Sequence, residues 1–272
     1  MYKSLFCWIV LFVFGFSFSS CASIDTVIIH SNSMHKEIKA VVITPKLNPL
    51  IKAKYPVVYL LHGYSGTYAD WIKKVPSLQA LADENQLIIV CPDGGFSSWY
   101  LDSPIDSNYR YETFVSSEIP NFIDDHYNTI KDRKGRAITG LSMGGHGGLF
   151  IGYRHSDVFG ACGSMSGGVD LNFSVHKFDV AKRIGDSSHY PENWKKYSVV
   201  NVVDINPKFP LSIIFDCGVD DFFYENNKAL HQKLVSKGVK HDYIERPGKH
   251  DWNYWSNAIE YQLLFFRKYF NR

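Results

Sequence analysis

The chain has 272 residues, 45% hydrophobic and 21% charged, which is enough for one large core, and no stretch reads as an inter-domain linker. Its formal charge of +2 at pH 7 is spread over lysines and arginines scattered among acids. That distribution excludes the basic footprint of a nucleic-acid binder, and internal repeats are not evident.

Lys3 precedes an apolar run over residues 5–18, and the small residues Ser19, Ser20, Cys21, Ala22 and Ser23 follow it. The run is short for a membrane span and its small-residue tail suits processing, so residues 1–22 are expected to be an export signal. Phe18-Ser19-Ser20-Cys21 also resembles a loose lipoprotein signal, in which Cys21 would carry the lipid anchor, although Phe18 stands where a leucine-like residue is usual. Plain secretion and, third, an uncleaved anchor are the other readings. Either way the expected location is outside the cytoplasm: periplasmic, outer-membrane anchored or secreted. Residues 23–272 are expected to form a single domain.

A β region is expected over 26–44, clearest at 39–43, and a loop over 45–54. The apolar run 55–61 reads as a buried strand ending in His62-Gly63. Trp71, Val75, Leu78, Leu81 and Ala82 recur at helical spacing, predicting a helix over 71–84, followed by a strand at 87–91. A helix interrupted by Pro120 is expected over 113–127, then a strand at 136–139 and a helix over 144–155. Strands at 159–165, 210–215 and 240–246 alternate with a helix at 225–237 and a C-terminal helix. This alternation implies an α/β chain with a mainly parallel sheet covered on both faces. Residues 169–206 fit it poorly and are expected to be an insertion over the site.

Between the strand at 136–139 and the next helix stands Gly140-Leu141-Ser142-Met143-Gly144. A serine on a sharp strand-to-helix turn needs neighbours without side chains if its hydroxyl is to stand exposed, and Gly140, Gly144 and Gly145 supply that room. Roughly 0.1 chance matches to the bare pattern are expected in such a chain, so its companions decide. A neutral serine is a weak nucleophile and needs a base, itself oriented by a carboxylate. Asp220 and Asp221 follow one expected strand and His250 follows the last, in the order such a triad demands. Charge growing on a carbonyl oxygen also needs donors: the N–H of Met143, next to the serine, and that of Tyr64, in His62-Gly63-Tyr64-Ser65-Gly66. His62 is expected to shape its own loop.

Cys91, Cys162 and Cys217 remain once Cys7 and Cys21 are assigned to the signal; the odd count argues against a disulfide framework and for buried free thiols. No Cys-x-x-Cys or His-Glu-x-x-His pattern accompanies them, so no metal site is expected.

Five segments over nearly the whole mature chain carry a family resemblance: Leu60-Leu61-His62-Gly63; Pro92-Asp93-Gly94-Gly95 with Ser98-Trp99-Tyr100; Thr139 to Gly145; Cys217-Gly218-Val219-Asp220-Asp221-Phe222; and Gly248-Lys249-His250-Asp251-Trp252. Together they resemble the putative-esterase family of α/β hydrolases, which includes esterase D (S-formylglutathione hydrolase), feruloyl and acetyl-xylan esterases, tributyrin esterases and the mycolyltransferase antigens. The resemblance implies an α/β-hydrolase fold: a mostly parallel central sheet with helices on both faces and antiparallel N-terminal strands. It also implies a serine carboxylesterase working through an acyl-enzyme, with Ser142 as nucleophile, His250 as base and no cofactor. The family's acid stands three residues after the glycine of its turn, which maps onto Asp221; Val219-Asp220-Asp221 is most similar to the tributyrin esterase form.

Trp99, Tyr100 and Trp252 are candidates to line an acyl or sugar pocket, although core packing competes for all three. The substrate expected is a small or glycan-linked ester carrying a feruloyl, acetyl or short-chain acyl group. Acyl transfer of the mycolyltransferase type stands beside it. S-formylglutathione hydrolysis sits less well with export, and a non-catalytic glycan- or lipid-binding lipoprotein sits less well with a full set of catalytic residues.

Overall fold

The computed structural model describes residues 23–46 and 54–271. The export-signal reading, Cys21 included, lies outside the described residues, as does most of the expected loop at 45–54.

Strands β1 (Ser23–Ser31) and β2 (Lys36–Thr44) form an antiparallel hairpin, and β2 runs antiparallel to β4 (Ile88–Pro92). From there the sheet is parallel through β3 (Val57–Leu61), β5 (Arg136–Gly140), β6 (Ala161–Met165), β7 (Ser212–Gly218) and β8 (Asp242–Arg246). The order is β1-β2-β4-β3-β5-β6-β7-β8, so the antiparallel strands form one edge, as the family resemblance implies. All five residues of β3 are buried. Alternation sends Val57, Tyr59 and Leu61 into one core and Val58 and Leu60 into the other. The first core is closed by Leu149 and Phe150 of the helix Met143–Arg154 and by Leu230 and Leu234 of the helix Tyr224–Ser236. Leu78 and Ala82 of Leu78–Asn85 close the second, with Ile259, Leu263 and Phe266 of Trp252–Phe270.

Two helices depart from the sequence pattern, both at prolines. The single helix expected over 71–84 is two, Asp70–Lys74 and Leu78–Asn85. Pro76 has no N–H to continue the ladder and pushes the preceding residue out of the helical region, and Val75 accordingly has φ −126 and ψ 76. At Pro120 the helix is not broken: a π-helical segment, Phe114–Glu118, runs into Ile119–His126, and the proline falls in the first turn, where a missing N–H costs little.

Between β6 and β7 the chain makes four short helical pieces, Leu171–Ser174, Val180–Ile184, Pro191–Tyr197 and Val199–Val202. It is fastened to the body by the Trp99 indole, which donates to the Phe178 carbonyl at 2.9 Å, and by His146 Nε2, 2.9 Å from the Tyr197 carbonyl. Cys91, Cys162 and Cys217 are free and buried, and burial pushes all three thiols up.

Candidate active site

Ser142 sits between β5 and the helix Met143–Arg154 with φ 55 and ψ −115, a conformation costing a non-glycine residue on the order of 1–3 kcal/mol. Packing over-determines it. Its N–H donates to the Met165 carbonyl at 2.9 Å, its own carbonyl accepts from Gly168 N–H at 3.3 Å, and Leu141 N–H donates to the Leu61 carbonyl at 3.2 Å. The helix that follows carries four glycines in its first six residues, a poor composition in isolation, yet every residue from Met143 to Tyr153 is buried. Gly144 shows why: a Cβ there would stand 2.5 Å from the Leu61 carbonyl oxygen and 2.6 Å from that of His62. Only glycine lets the helix start press against the end of β3.

Asp221 and His250 arrive from the ends of β7 and β8. Their loops are laced together by Val219 N–H to the Arg246 carbonyl (2.9 Å) and Asp220 N–H to the Gly248 carbonyl (3.0 Å). His250 Nδ1 lies 2.8 and 3.0 Å from the two Asp221 carboxylate oxygens, and its Nε2 lies 2.9 Å from Ser142 Oγ. Asp221 is buried, and its Oδ1 also accepts from Phe223 N–H at 2.8 Å. Asp220, the neighbour that order alone left open, is exposed, and its side chain makes no hydrogen bond or ion pair with His250 or Ser142. Phe222 and Trp255 flank the imidazole, with ring centroids 4.2 and 4.9 Å from it.

Two backbone donors beside this centre, the N–H groups of Met143 and Tyr64, have no acceptor among the described residues. Met143 N–H is at the positive start of its helix. Tyr64 N–H is set by His62: its Nδ1 is 2.7 Å from the Gly63 carbonyl while its Nε2 accepts from Gly94 N–H at 2.7 Å. Nδ1 therefore carries the proton, and burial pushes the pKa of His62 down, keeping the imidazole neutral. Across a trans peptide the carbonyl and the next N–H point opposite ways, so drawing the Gly63 oxygen towards His62 turns the Tyr64 N–H away from it. The loop is close to the serine, since a Cβ on Gly63 would lie 3.5 Å from Ser142 Cβ. Of the other histidines, His146 ties the nucleophile's helix to the Trp99 and Tyr197 carbonyls, and His231 pairs with His241, which precedes β8, at 2.8 Å.

A cavity of about 360 Å³ opens at Ser142, walled by Tyr64, Phe178, Phe222, Trp252 and Trp255 and floored by Gly63 and Leu141. Trp252 is thus on the wall. Trp99 and Tyr100, expected there as well, are not: they are 1% and 0% exposed and pack behind the Tyr64 loop. The Tyr100 hydroxyl donates to the His62 carbonyl at 3.1 Å and the Trp99 indole to that of Phe178 at 2.9 Å, so Tyr100 braces the loop and Trp99 holds Phe178, and neither lines the cavity. Phe178 and the Tyr64 ring were not singled out from sequence. Phe178 lies in the aperiodic stretch 169–206, where nothing local tells an inward ring from an outward one. It and Asp179 hold φ 57 and 55, and the Tyr64 hydroxyl lies 3.3 Å from Asp179 Oδ2.

The model of the family described as Putative esterase matches residues 31–266. An acetyl esterase of Caldicellulosiruptor saccharolyticus is 29% identical over 215 residues, 74% of this chain and 79% of that one. The S-formylglutathione hydrolase of Bos taurus is 27% identical over 218 residues, 72% of this chain and 74% of that one. Among solved structures, a ferulic acid esterase superposes with a TM-score of 0.77 at 30% identity, covering 91% of this chain and 99% of that one. The chain belongs to the Putative esterase family, has the α/β-hydrolase fold, and is a serine-type carboxylic ester hydrolase.

Proposed function

We propose that the chain hydrolyses esters of feruloyl, acetyl or short-chain acids with sugars or small alcohols, through an acyl-enzyme on Ser142. The observation that carries the reading is the continuous Ser142–His250–Asp221 contact at the mouth of a cavity flanked by two unpaired N–H groups. Asp221 accepts from Nδ1–H, which leaves the Nε2 lone pair for the Ser142 proton. As Oγ attacks the ester carbonyl, the developing oxyanion is received by the N–H groups of Tyr64 and Met143, each worth about 10² to 10³ in rate. The alcohol leaves with the proton from Nε2, and water, deprotonated by the same nitrogen, releases the acid. The aromatic walls suit an acyl group of aryl or short aliphatic kind. The relatives are named acetyl esterase, ferulic acid esterase and S-formylglutathione hydrolase, names that differ in the acyl group and support hydrolysis of an acyl ester here. The apolar segment 5–18 supports an exported enzyme with an extracellular or glycan-linked ester as substrate.

The test is a fluorophosphonate probe with wild type and Ser142→Ala, followed by esters from acetyl to feruloyl with and without an added alcohol acceptor. Labelling of the wild type alone and release of free acid are expected. An unlabelled folded wild type would refute the catalytic reading, and product appearing chiefly on the acceptor would reassign the reaction to transfer.

A further inference from the structure

Resting on that esterase reading, we propose that the groove beyond Phe222 is an alcohol-side subsite for a glycosyl group, with Phe222, Glu225 and Lys249 as its contacts. When the tetrahedral intermediate collapses, the bond between the carbonyl carbon and the alcohol oxygen breaks. The electron pair goes to that oxygen, which takes the proton His250 Nε2 had received from Ser142 Oγ. The alcohol oxygen therefore stands within hydrogen-bond reach of Nε2, and the rest of the alcohol leaves the reacting centre along the His250 side.

His250 and Phe222 are shared by two depressions. One is the aromatic cavity at Ser142; the other is an open groove of about 630 Å³ lined also by Tyr224, Glu225 and Lys249, with Asp220, Asp221 and Asp251 along the same rim. The first suits an acyl group. The second has a different chemistry. Phe222 is 48% exposed and lines both depressions, its ring 4.2 Å from that of His250. Glu225, in the first turn of the helix Tyr224–Ser236, and Lys249, beside His250, are exposed, and neither side chain makes a hydrogen bond or ion pair among the described residues. An apolar ring beside a free acceptor and a free donor answers the two sides of a pyranose, its C–H face and its hydroxyl rim. A purely aliphatic alcohol would leave the Glu225 and Lys249 groups unused.

The test compares two esters of the same acid, an acetylated methyl xyloside and p-nitrophenyl acetate, on wild type, Glu225→Gln and Lys249→Met, with thermal melts to verify folding. The acyl group and the triad are common to both, so the ratio of the two kcat/KM values isolates the alcohol. The ratio of sugar to aryl ester is expected to fall about tenfold in each variant, chiefly through KM, as for loss of one charged hydrogen bond. A ratio within about twofold of wild type in both would overturn the subsite, as would a wild type that turns over the aryl ester and not the sugar ester. Failure on both esters would instead overturn the esterase reading beneath it.

Discussion

Replacing Asp221 by asparagine changes one atom at the site, and the structure says which one. The Phe223 N–H donates to Asp221 Oδ1 at 2.8 Å, so an asparagine keeps its carbonyl oxygen there and must put its NH₂ where Oδ2 now lies, 2.8 Å from His250 Nδ1. With the NH₂ the nearer group to Nδ1, and Oδ1, 3.0 Å away, already accepting from Phe223 N–H, the imidazole proton is driven to Nε2, and that nitrogen, 2.9 Å from Ser142 Oγ, can no longer accept the serine proton. The wrong tautomer of a serine triad costs about 10⁴ in kcat, equivalent to about 5 kcal/mol of transition-state stabilisation. KM for p-nitrophenyl acetate should move little, because Asp221 is buried and does not line the cavity at Ser142. The assay is steady-state hydrolysis of p-nitrophenyl acetate at pH 8, with kcat and KM resolved separately and folding followed by circular dichroism. Asp220→Asn, which alters an exposed carboxylate, is the comparison and should cost less than about tenfold. A folded Asp221→Asn enzyme within about tenfold of wild type, or one more active than Asp220→Asn, would refute the assignment of the acid.

His62→Ala should lower kcat on the order of 10²-fold with a smaller effect on KM, since it frees the Gly63–Tyr64 peptide that His62 Nδ1 holds; equal kcat in pre-steady-state acylation would remove His62 from any part in orienting that donor. Gly144→Ala forces a methyl to within 2.6 Å of two backbone oxygens that cannot yield, so a loss of about 1–3 kcal/mol or more is expected in urea unfolding, with activity falling further than stability as Met143 N–H is displaced. The pH dependence of stability should carry the mark of Asp216, buried on β7, whose carboxyl is pushed up to about 6 by burial against the opposing Gln262 and Arg246 contacts. Because the folded carboxyl holds its proton more tightly than the unfolded one, its contribution is complete below about pH 4 and is lost as pH rises through 6, by up to about 3 kcal/mol. Urea midpoints at pH 4, 5 and 7 should therefore slope less in Asp216→Asn than in wild type, and parallel slopes would show that Asp216 does not titrate in this range.

Much of the site was legible because its signals are local or ordinal. A glycine-flanked serine after a buried strand, an acid after a later one and a histidine after the last are written in turn chemistry and chain order, and the strands themselves in runs such as Val57–Leu61. The same local reading misjudged 71–84, where Pro76 outweighed the spacing of Trp71, Val75 and Leu78, and could not separate Trp99 and Tyr100 in the core from Phe178 on the cavity wall. An aromatic ring satisfies either setting equally well, and which one it meets depends on segments far away in the chain: Trp99 is fixed by Phe178, and Tyr100 by His62. By itself the sequence determined the sheet's alternation, the residues able to form a triad, and their order. Only the tertiary structure decided that Ser142 and His250, 108 residues apart, meet at 2.9 Å, which N–H groups beside them stay unpaired, and which rings face the substrate, because contact geometry is set by how distant elements pack and not by any one of them.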